Sequence, residues 1–286
     1  MLVFDLSETF GRLRLTGSTR LDFVQRMSTG DMRGLQAGEG RATVFTTPIG
    51  RMVDHALVLA EPDSTLLICG GGNQQRLMRW LRKYILFNDD VQVTDESGAL
   101  PMLGVFGPEA DAWAETVQPG ASGWPLYTHR AGLVKAPPLQ GAGYYWIGPN
   151  APIAQAPSPL AEYETLRIAA GYPAFPSEIN EDYIPLEAGL VGAISFTKGC
   201  YIGQEIIARM ESRGQLAKKL ARLRFTSKGD APAQAGDRLL ADGADAGVLT
   251  SVAPAGDAAL GYVRTAHAQP GARLSVAGRT SEVILL

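Results

Sequence analysis

The chain has 286 residues, of which 45% are apolar and 19% charged, so it can bury a large core and build two or three lobes. Its formal net charge of −3 gives no general argument for an anionic membrane, and direct binding of nucleic acid is not expected. Two widely separated cysteines, no visible secretory leader and no apolar run of about 20 residues predict a cytoplasmic protein without membrane spans.

Residues 1–100 predict a first lobe in which strands and helices alternate. A helix is expected to start at Gly17-Ser18, and the segments RATVFTTP and MVDHALVLA predict two strands joined by a hairpin at residues 48–50. The apolar strand LLIC ends in Gly70-Gly71-Gly72, a sequence that could hold an anion but lacks the Lys-Ser/Thr of a nucleotide-binding loop. Asn73 is then predicted to cap a helix whose apolar residues recur at helical spacing: Leu77, Trp80, Leu81 and Tyr84.

The rest of the chain predicts two further regions. Residues 101–171 indicate a second α+β lobe, which ends in a helix from Ser158-Pro159 to Gly171. Residues 172–215 begin irregularly and are expected to complete the first lobe. In residues 216–286, short strands separated by Gly-containing turns predict a small β-barrel. The pattern of residues by itself therefore predicts an α+β fold with a β-rich tail.

The segment SFTKGCYIGQEIIAR, residues 195–209, is the most unusual in the chain. Gly199 and Gly203 flank the Cys200-Tyr201 pair and allow the backbone to approach a ligand closely. A helix that starts near Gly203, together with Lys198 two residues away, predicts an environment that favours the thiolate of Cys200. The alternative is a buried structural cysteine, which is how most free cysteines behave.

KGCYIGQE resembles the signature of the YgfZ family of folate-binding proteins at every position. The segments LTGSTRLDFVQRMSTGDMRGLQAG, TTPIGRMVDHALVL and RIAAGYPAFPSEINEDYIPLEAGL resemble three further segments of that family, so the resemblance covers most of residues 10–215. The family is related to the glycine-cleavage T-protein, an aminomethyltransferase. The resemblance implies a three-lobed, cloverleaf-like α+β fold that is closed by a C-terminal barrel and carries tetrahydrofolate or a derivative in a central channel.

The same resemblance implies a function and partners. Relatives of this family assist the assembly or repair of iron–sulfur proteins, including enzymes that methylthiolate tRNA, and the motif cysteine that Cys200 matches is tied to that activity. The expected partners are folate and, transiently, iron–sulfur client proteins. Two cysteines cannot build a four-thiolate cluster site, so a stable cluster carrier is not favoured. His129 and His267 have no Cys or carboxylate at ligand spacing, so no metal site is predicted.

Asp54 is the second candidate catalytic residue beside Cys200. It matches the hairpin aspartate that is catalytic in aminomethyltransferases, where it lies beside N10 of the folate, and a carboxylate there can accept a proton. The alternative is an exposed aspartate at a turn or strand edge. His55 stands where T-proteins usually have a second aspartate, and this departure weakens the transfer of the enzyme activity.

A second departure concerns the pterin ring. T-proteins hold it with the glutamate of R-[IL]-E-A-G, and this chain has Ala169 at that position. A substitute acceptor is expected from Glu162, Glu164, Glu178 or Glu187, or else folate binding is weaker. The predicted cofactor contacts, carried over from the matched segments, are Asp54, Lys198, Gly199, Tyr201, Gly203, Gln204, Glu205, Arg209, Arg213 and Glu187.

A basic cluster lies around and after Cys200 and has three interpretations, a site for the carboxylates of a folate glutamate tail, a site for RNA or a solvated face at a domain junction. The RNA interpretation is the weakest, because aromatic stacking partners are scarce. Arg209 and Arg213 are the two members that we expect to bind, and the others are Lys198, Lys218, Lys219, Arg222 and Arg224. Three functions remain, in order of preference. They are a folate-binding accessory factor acting through Cys200, a folate-dependent aminomethyltransferase or demethylase using Asp54, and a scaffold that keeps the fold without the ligand.

Overall fold

The computed structural model describes residues 1–214, 216–227 and 231–285, and the side chains of Arg213 and Leu285 lie outside this description. The chain divides into two compact units. The first unit contains Met1–Pro159 and Gly192–Gln204, and the second contains Leu160–Val191 and Glu205–Leu286. The lobe boundaries that the sequence predicts near residues 100, 171 and 215 stay a prediction.

The first unit contains two five-stranded sheets and three helices. One sheet has the strand order β3-β4-β5-β2-β6, and the other has the order β1-β7-β10-β9-β8. The strands are β1 (Leu2–Asp5), β2 (Phe10–Thr16), β3 (Gly40–Thr46), β4 (Met52–Ala60), β5 (Ser64–Gly70), β6 (Gln92–Asp95), β7 (Met102–Gly107), β8 (His129–Arg130), β9 (Leu133–Lys135) and β10 (Ala142–Ile147). The helices are α1 (Arg20–Met27), α2 (Gln74–Arg82) and α3 (Ala110–Val117).

The predicted hairpin is confirmed, because β3 and β4 pair as antiparallel neighbours. Asp54 lies opposite Phe45, and Ala56 lies opposite Thr43, so these side chains share one face of the sheet. Phe45 and Ala56 belong to a buried core to which α1 and α2 also contribute side chains. The hairpin therefore directs Asp54 towards the helix-covered core of its sheet.

Helix α1 starts two residues later than predicted. Its N-cap is Thr19, because Gly17 has a φ of +101° and Ser18 donates its backbone N–H to the Asp90 carboxylate. A β-carbon at Gly17 would lie 2.1 Å from the Asp90 carbonyl oxygen, so the chain turns here and only then enters the helix. Helix α2 is confirmed with Leu77 and Leu81 buried, but it ends at Arg82, before Tyr84. Asn73 occupies its N-cap position without forming the predicted side-chain cap hydrogen bond.

The second unit contains a closed six-stranded barrel with the strand order β11-β14-β13-β12-β15-β16, as the sequence predicts. Its strands are β11 (Lys218–Phe225), β12 (Arg238–Ala241), β13 (Ala244–Val252), β14 (Ala258–Arg264), β15 (Arg273–Val276) and β16 (Arg279–Leu285). Helix α4 (Leu160–Ala170) precedes the barrel in sequence, and α5 (Gln204–Arg213) begins at the last residue of the first unit. Among the helices of the described ranges, none is long and apolar enough to cross a membrane.

Candidate functional site

The motif loop around Cys200 packs against the β3–β4 hairpin. The Thr46 hydroxyl donates a hydrogen bond of 2.6 Å to the carbonyl oxygen of Ile202. Gly203 has a φ of +83°, and a β-carbon there would lie 2.6 Å from Thr46 Oγ1 and 2.7 Å from the Thr47 carbonyl oxygen. Glycine is required at position 203 because the two backbones approach this closely. Two segments about 150 residues apart in sequence, each singled out for its own chemistry, are thus in contact.

Lys198 anchors the other side of the same loop. Its side chain is only 4% exposed, and its ammonium group donates to the carbonyl oxygens of Gln25 at 2.6 Å, Ser28 at 2.7 Å and Gly30. Gln25 lies in the last turn of α1, where carbonyl groups lack helical partners. Burial lowers the pKa of Lys198 to about 8. An ammonium group has three N–H donors, so a ligand contact of Lys198 would compete with these bonds.

Cys200 lies between two buried side chains and is itself exposed. Tyr201 is buried, which raises the pKa of its phenol to about 12, and its ring centroid is 5.2 Å from Lys198 Nζ. A β-carbon added to Gly199 would face open space. The alternative of a buried structural cysteine is therefore wrong for Cys200, whereas the second cysteine, Cys69, is buried in the core.

Asp54 is almost completely buried, with 1% of its surface exposed. Its Oδ2 atom accepts a hydrogen bond of 2.7 Å from Asn73 Nδ2, and both carboxylate oxygens lie 3.2 Å from the Gly70 backbone nitrogen. Burial raises the pKa of Asp54 to about 7, although the bonds from Asn73 and Gly70 oppose this shift. The alternative of an exposed turn aspartate is wrong. A carboxyl group that titrates near neutral pH is suited to accept or donate a proton.

The glycine run before α2 contributes to the Asp54 site. In the structure the Asp54 carboxylate accepts the N–H of Gly70, the first glycine of the run. Gly71 passes close to the N-terminal segment, since a β-carbon there would lie 2.2 Å from the Glu8 carbonyl oxygen. The next residue after Asp54, His55, is partly exposed, and burial lowers the pKa of its imidazole to about 4. His55 is therefore neutral at physiological pH.

The remaining predicted cofactor residues divide between the two units. Gln204 is the first residue of α5 and belongs to the first unit, together with Asp54 and the motif loop. In the second unit, Arg209 and Glu205 form an ion pair of 2.5 Å on the exposed face of α5. Glu187 is buried, and its Oε2 atom accepts the backbone N–H of Ile184 at 3.1 Å. Arg213 is the last residue of α5, and its side chain is outside the described part.

The glutamates proposed as substitute pterin acceptors are mostly engaged within the second unit. Arg167 is buried and donates to the carboxylates of Glu164 at 2.7 Å and Glu178 at 3.2 Å. Glu178 also accepts a hydrogen bond of 2.6 Å from the Ser251 hydroxyl. Through Arg167 on one side and Ser251 on the other, it links α4 to the barrel strand β13. Glu162 and Ala169 are exposed on α4. Glu178 is thus part of a buried structural network, which leaves little capacity for a ligand.

Several residues of the predicted basic cluster bind protein groups in the second unit. Arg222 donates to the Ala169 carbonyl oxygen at 2.6 Å, and Arg224 forms an ion pair with Glu282. The Lys218 ammonium group lies 4.2 Å from the ring centroid of Tyr183. These contacts favour the interpretation of the cluster as a structural and solvated face for Lys218, Arg222 and Arg224. Across the residues that the structure describes, no three His, Cys, Asp or Glu side chains form a possible metal site.

Comparisons with known proteins agree with this architecture. Residues 1–137 match the family of the GCVT N-terminal domain, and residues 218–285 match that of the CAF17 C-terminal β-barrel domain. A putative chloroplastic transferase of Arabidopsis thaliana is 30% identical, over 99% of this chain and 70% of its own length. The chain belongs to the T-protein-like GCVT family.

Two further comparisons concern an aminomethyltransferase sequence and a solved structure. An aminomethyltransferase of Halalkalibacterium halodurans is 26% identical, over 79% of this chain and 68% of its own length. The crystal structure of the glycine cleavage system aminomethyltransferase T from Bartonella henselae superposes with a TM-score of 0.82 at 20% identity, covering 99% of this chain and 84% of that one. At this identity the likeness establishes the fold, and it confirms the T-protein-like fold predicted for this GCVT-family chain.

The contact of Gly203 with the hairpin can be tested by a matched pair of glycine substitutions. Gly203→Ala should lower the free energy of unfolding by about 2 kcal/mol or more, because it adds a β-carbon at positive φ against backbone atoms. Gly199→Ala should change it by less than about 0.5 kcal/mol, because that position faces open space. Urea denaturation of both variants measures the difference, and equal effects would contradict the packing described for Gly203.

The burial of Asp54 predicts a pH-dependent cost to stability. The pKa of Asp54 is about 7 in the folded state, against an ordinary value of 3.8 for an exposed aspartate, so between these values folding takes up a proton and stability falls as pH rises. The advantage of Asp54→Asn over the wild type should therefore grow by roughly 4 kcal/mol between pH 4 and pH 8. Urea denaturation at both pH values measures this change. The exposed substitution Asp63→Asn serves as the control, and an advantage of Asp54→Asn that is independent of pH would refute the raised pKa.

Proposed function

We propose that this GCVT-family protein is a tetrahydrofolate-binding accessory factor of the YgfZ type, which acts in the cytoplasm on iron–sulfur proteins through the thiol of Cys200. The observation that carries the proposal is the exposed thiol of Cys200 on a loop fixed at both sides, by Lys198 and by Gly203. The match of the barrel to the CAF17 C-terminal domain and the KGCYIGQE segment support the same assignment.

The chemistry of Asp54 and its neighbours suits a reduced folate. Asp54 offers carboxylate oxygens, and Asn73 Oδ1 is a buried acceptor without a hydrogen-bond partner among residues 1–214, 216–227 and 231–285. Tetrahydrofolate carries N–H groups that need such acceptors when they are buried. Asp54 and Asn73 are the residues proposed to hold it, and when bound it would supply a carrier for a one-carbon unit.

The proposed role of Cys200 is that of a transient thiolate ligand for an iron atom of a cluster in a client protein. An exposed thiol is accessible to a second macromolecule, whereas the buried Cys69 is not. A single thiol cannot complete a cluster site, so the cluster belongs to the client and is the cargo. The rigid attachment of the loop would keep the thiol in one orientation during such an encounter.

The role of Cys200 can be tested by complementation of a strain that lacks its homologue. Cys200→Ser should fail to restore the activity of iron–sulfur enzymes, because a hydroxyl group is a poor ligand for iron. Cys69→Ala, which removes the other thiol, should restore it. Immunoblotting confirms equal protein levels, and full rescue by Cys200→Ser would overturn the proposal.

Folate binding can be tested by calorimetric titration of the purified protein with tetrahydrofolate. The wild type should bind saturably with a micromolar Kd, and Asp54→Asn should bind about tenfold more weakly, because one charge-assisted hydrogen bond is worth about 1.5–3 kcal/mol. Asp63→Asn should bind like the wild type. If the folded wild type does not bind, the ligand-free scaffold becomes the better interpretation of the first unit.

A folate-dependent aminomethyltransferase or demethylase is the second candidate. The observation that favours it is the buried Asp54 carboxyl group, whose pKa lies near neutrality and which Asn73 and Gly70 hold in place. Relatives named aminomethyltransferase point to the same activity. Incubation with tetrahydrofolate and methylated glycines, followed by an assay for methylene-tetrahydrofolate, separates the candidates. Product that is lost in Asp54→Asn but kept in Cys200→Ser would favour the transferase.

A further inference from the structure

Asn73 occupies the N-cap position of α2 but does not cap the helix with its side chain. Asparagine is favoured at this position because its side-chain oxygen accepts an N–H group of the first turn. Here no such bond forms. Instead the Asn73 side chain, which is 0% exposed, donates from Nδ2 to the Val53 carbonyl oxygen at 3.0 Å and to Asp54 Oδ2 at 2.7 Å.

This arrangement leaves a buried polar atom unpaired. Asn73 Oδ1 has no hydrogen-bond partner within the described ranges, and an unpaired buried acceptor is costly. If the Asn73 amide were turned by 180°, Oδ1 would face the Val53 carbonyl oxygen and the hydrogen bond from Nδ2 would be lost. The Val53 carbonyl group on β4 therefore determines that Nδ2 faces the Asp54 carboxylate. The Asn73 side chain thus hydrogen-bonds residues of β4 and not the first turn of α2.

We propose that Asn73 is a positioning residue, which holds the Asp54 carboxyl group in one orientation and stabilises its ionised form at the ligand site. This inference rests on the proposed function of Asp54. The bond from Asn73 is shorter than the two distances of 3.2 Å from the Gly70 nitrogen. It also fixes the carboxylate from α2, whereas Gly70 belongs to β5, so the group is held from two elements.

Other groups also act on the carboxyl group and have to be kept constant in a test. Arg76 on α2 lowers the pKa of Asp54 through its charge, and the backbone N–H of His55 lowers it by hydrogen bonding. Burial raises the pKa of the Cys69 thiol on β5, and the nearby Asp54 charge raises it further, so the thiol stays neutral near pH 7. A substitution at Asn73 leaves all three groups in place.

The test is a titration of the Asp54 carboxyl carbon by ¹³C NMR in the full chain, with Asp54→Asn used to assign the signal. Asn73→Ala should raise the pKa of Asp54 by about one unit, because the lost donor stabilised the ionised form more than the protonated one. Asn73→Ser should give the same shift, since serine can cap a helix but is too short to replace the amide. Gln75→Ala, in the first turn of the same helix, should leave the pKa unchanged.

The outcomes separate this inference from the proposed function. A shifted pKa in the folded serine variant supports positioning, whether or not tetrahydrofolate binds. An unchanged pKa in both Asn73 variants overturns it, even if the wild type binds tetrahydrofolate. If the proposed function also holds, Asn73→Ser should raise the Kd for tetrahydrofolate about tenfold, while Gln75→Ala leaves it unchanged.

Discussion

The close approach of the motif loop to the β3–β4 hairpin is the contact on which the candidate site depends. At Gly203 there is no room for a β-carbon, and the Thr46 hydroxyl binds the carbonyl oxygen of the preceding residue. Lys198 holds the loop at its other side through backbone carbonyl groups around the end of α1. Cys200 is thus exposed on a loop that is held at both sides, and the same hairpin carries Asp54 in its second strand.

The burial of Asp54 lowers the stability of the folded state when its carboxyl group is ionised, which indicates a role other than stabilisation. A carboxyl group that is 1% exposed, and whose pKa burial raises to about 7, reduces the stability of the folded state as the pH rises towards neutrality. Hydrogen bonds from Asn73 and Gly70 and the charge of Arg76 reduce this cost without returning the pKa to its ordinary value. A carboxyl group whose pKa is held near neutrality is typical of a functional site.

The second unit contrasts with this site, because its buried charges are paired with each other. Arg167 and Glu178 join α4 to the barrel, and their hydrogen bonds include the Ser251 hydroxyl. In this network Glu178 has little remaining hydrogen-bonding capacity. It is therefore a poor replacement for the pterin-binding glutamate of T-proteins, whose position Ala169 occupies. For the proposed folate ligand, Asp54 and Asn73 are therefore better candidate acceptors than these glutamates.

The sequence by itself determined the hairpin, helix α2, the helix from Leu160 and the barrel, because periodicity and turn residues act over short distances. It also identified Cys200 and Asp54, through the match of local segments to a family. Only the tertiary structure decided what the buried polar groups do. Asn73 has the sequence signature of a helix cap and Lys198 that of a residue acting on a thiol, yet their partners are Asp54 and the end of α1. Those partners lie between 19 and 173 residues away, and burial forces each donor to bind whichever acceptor the fold brings near.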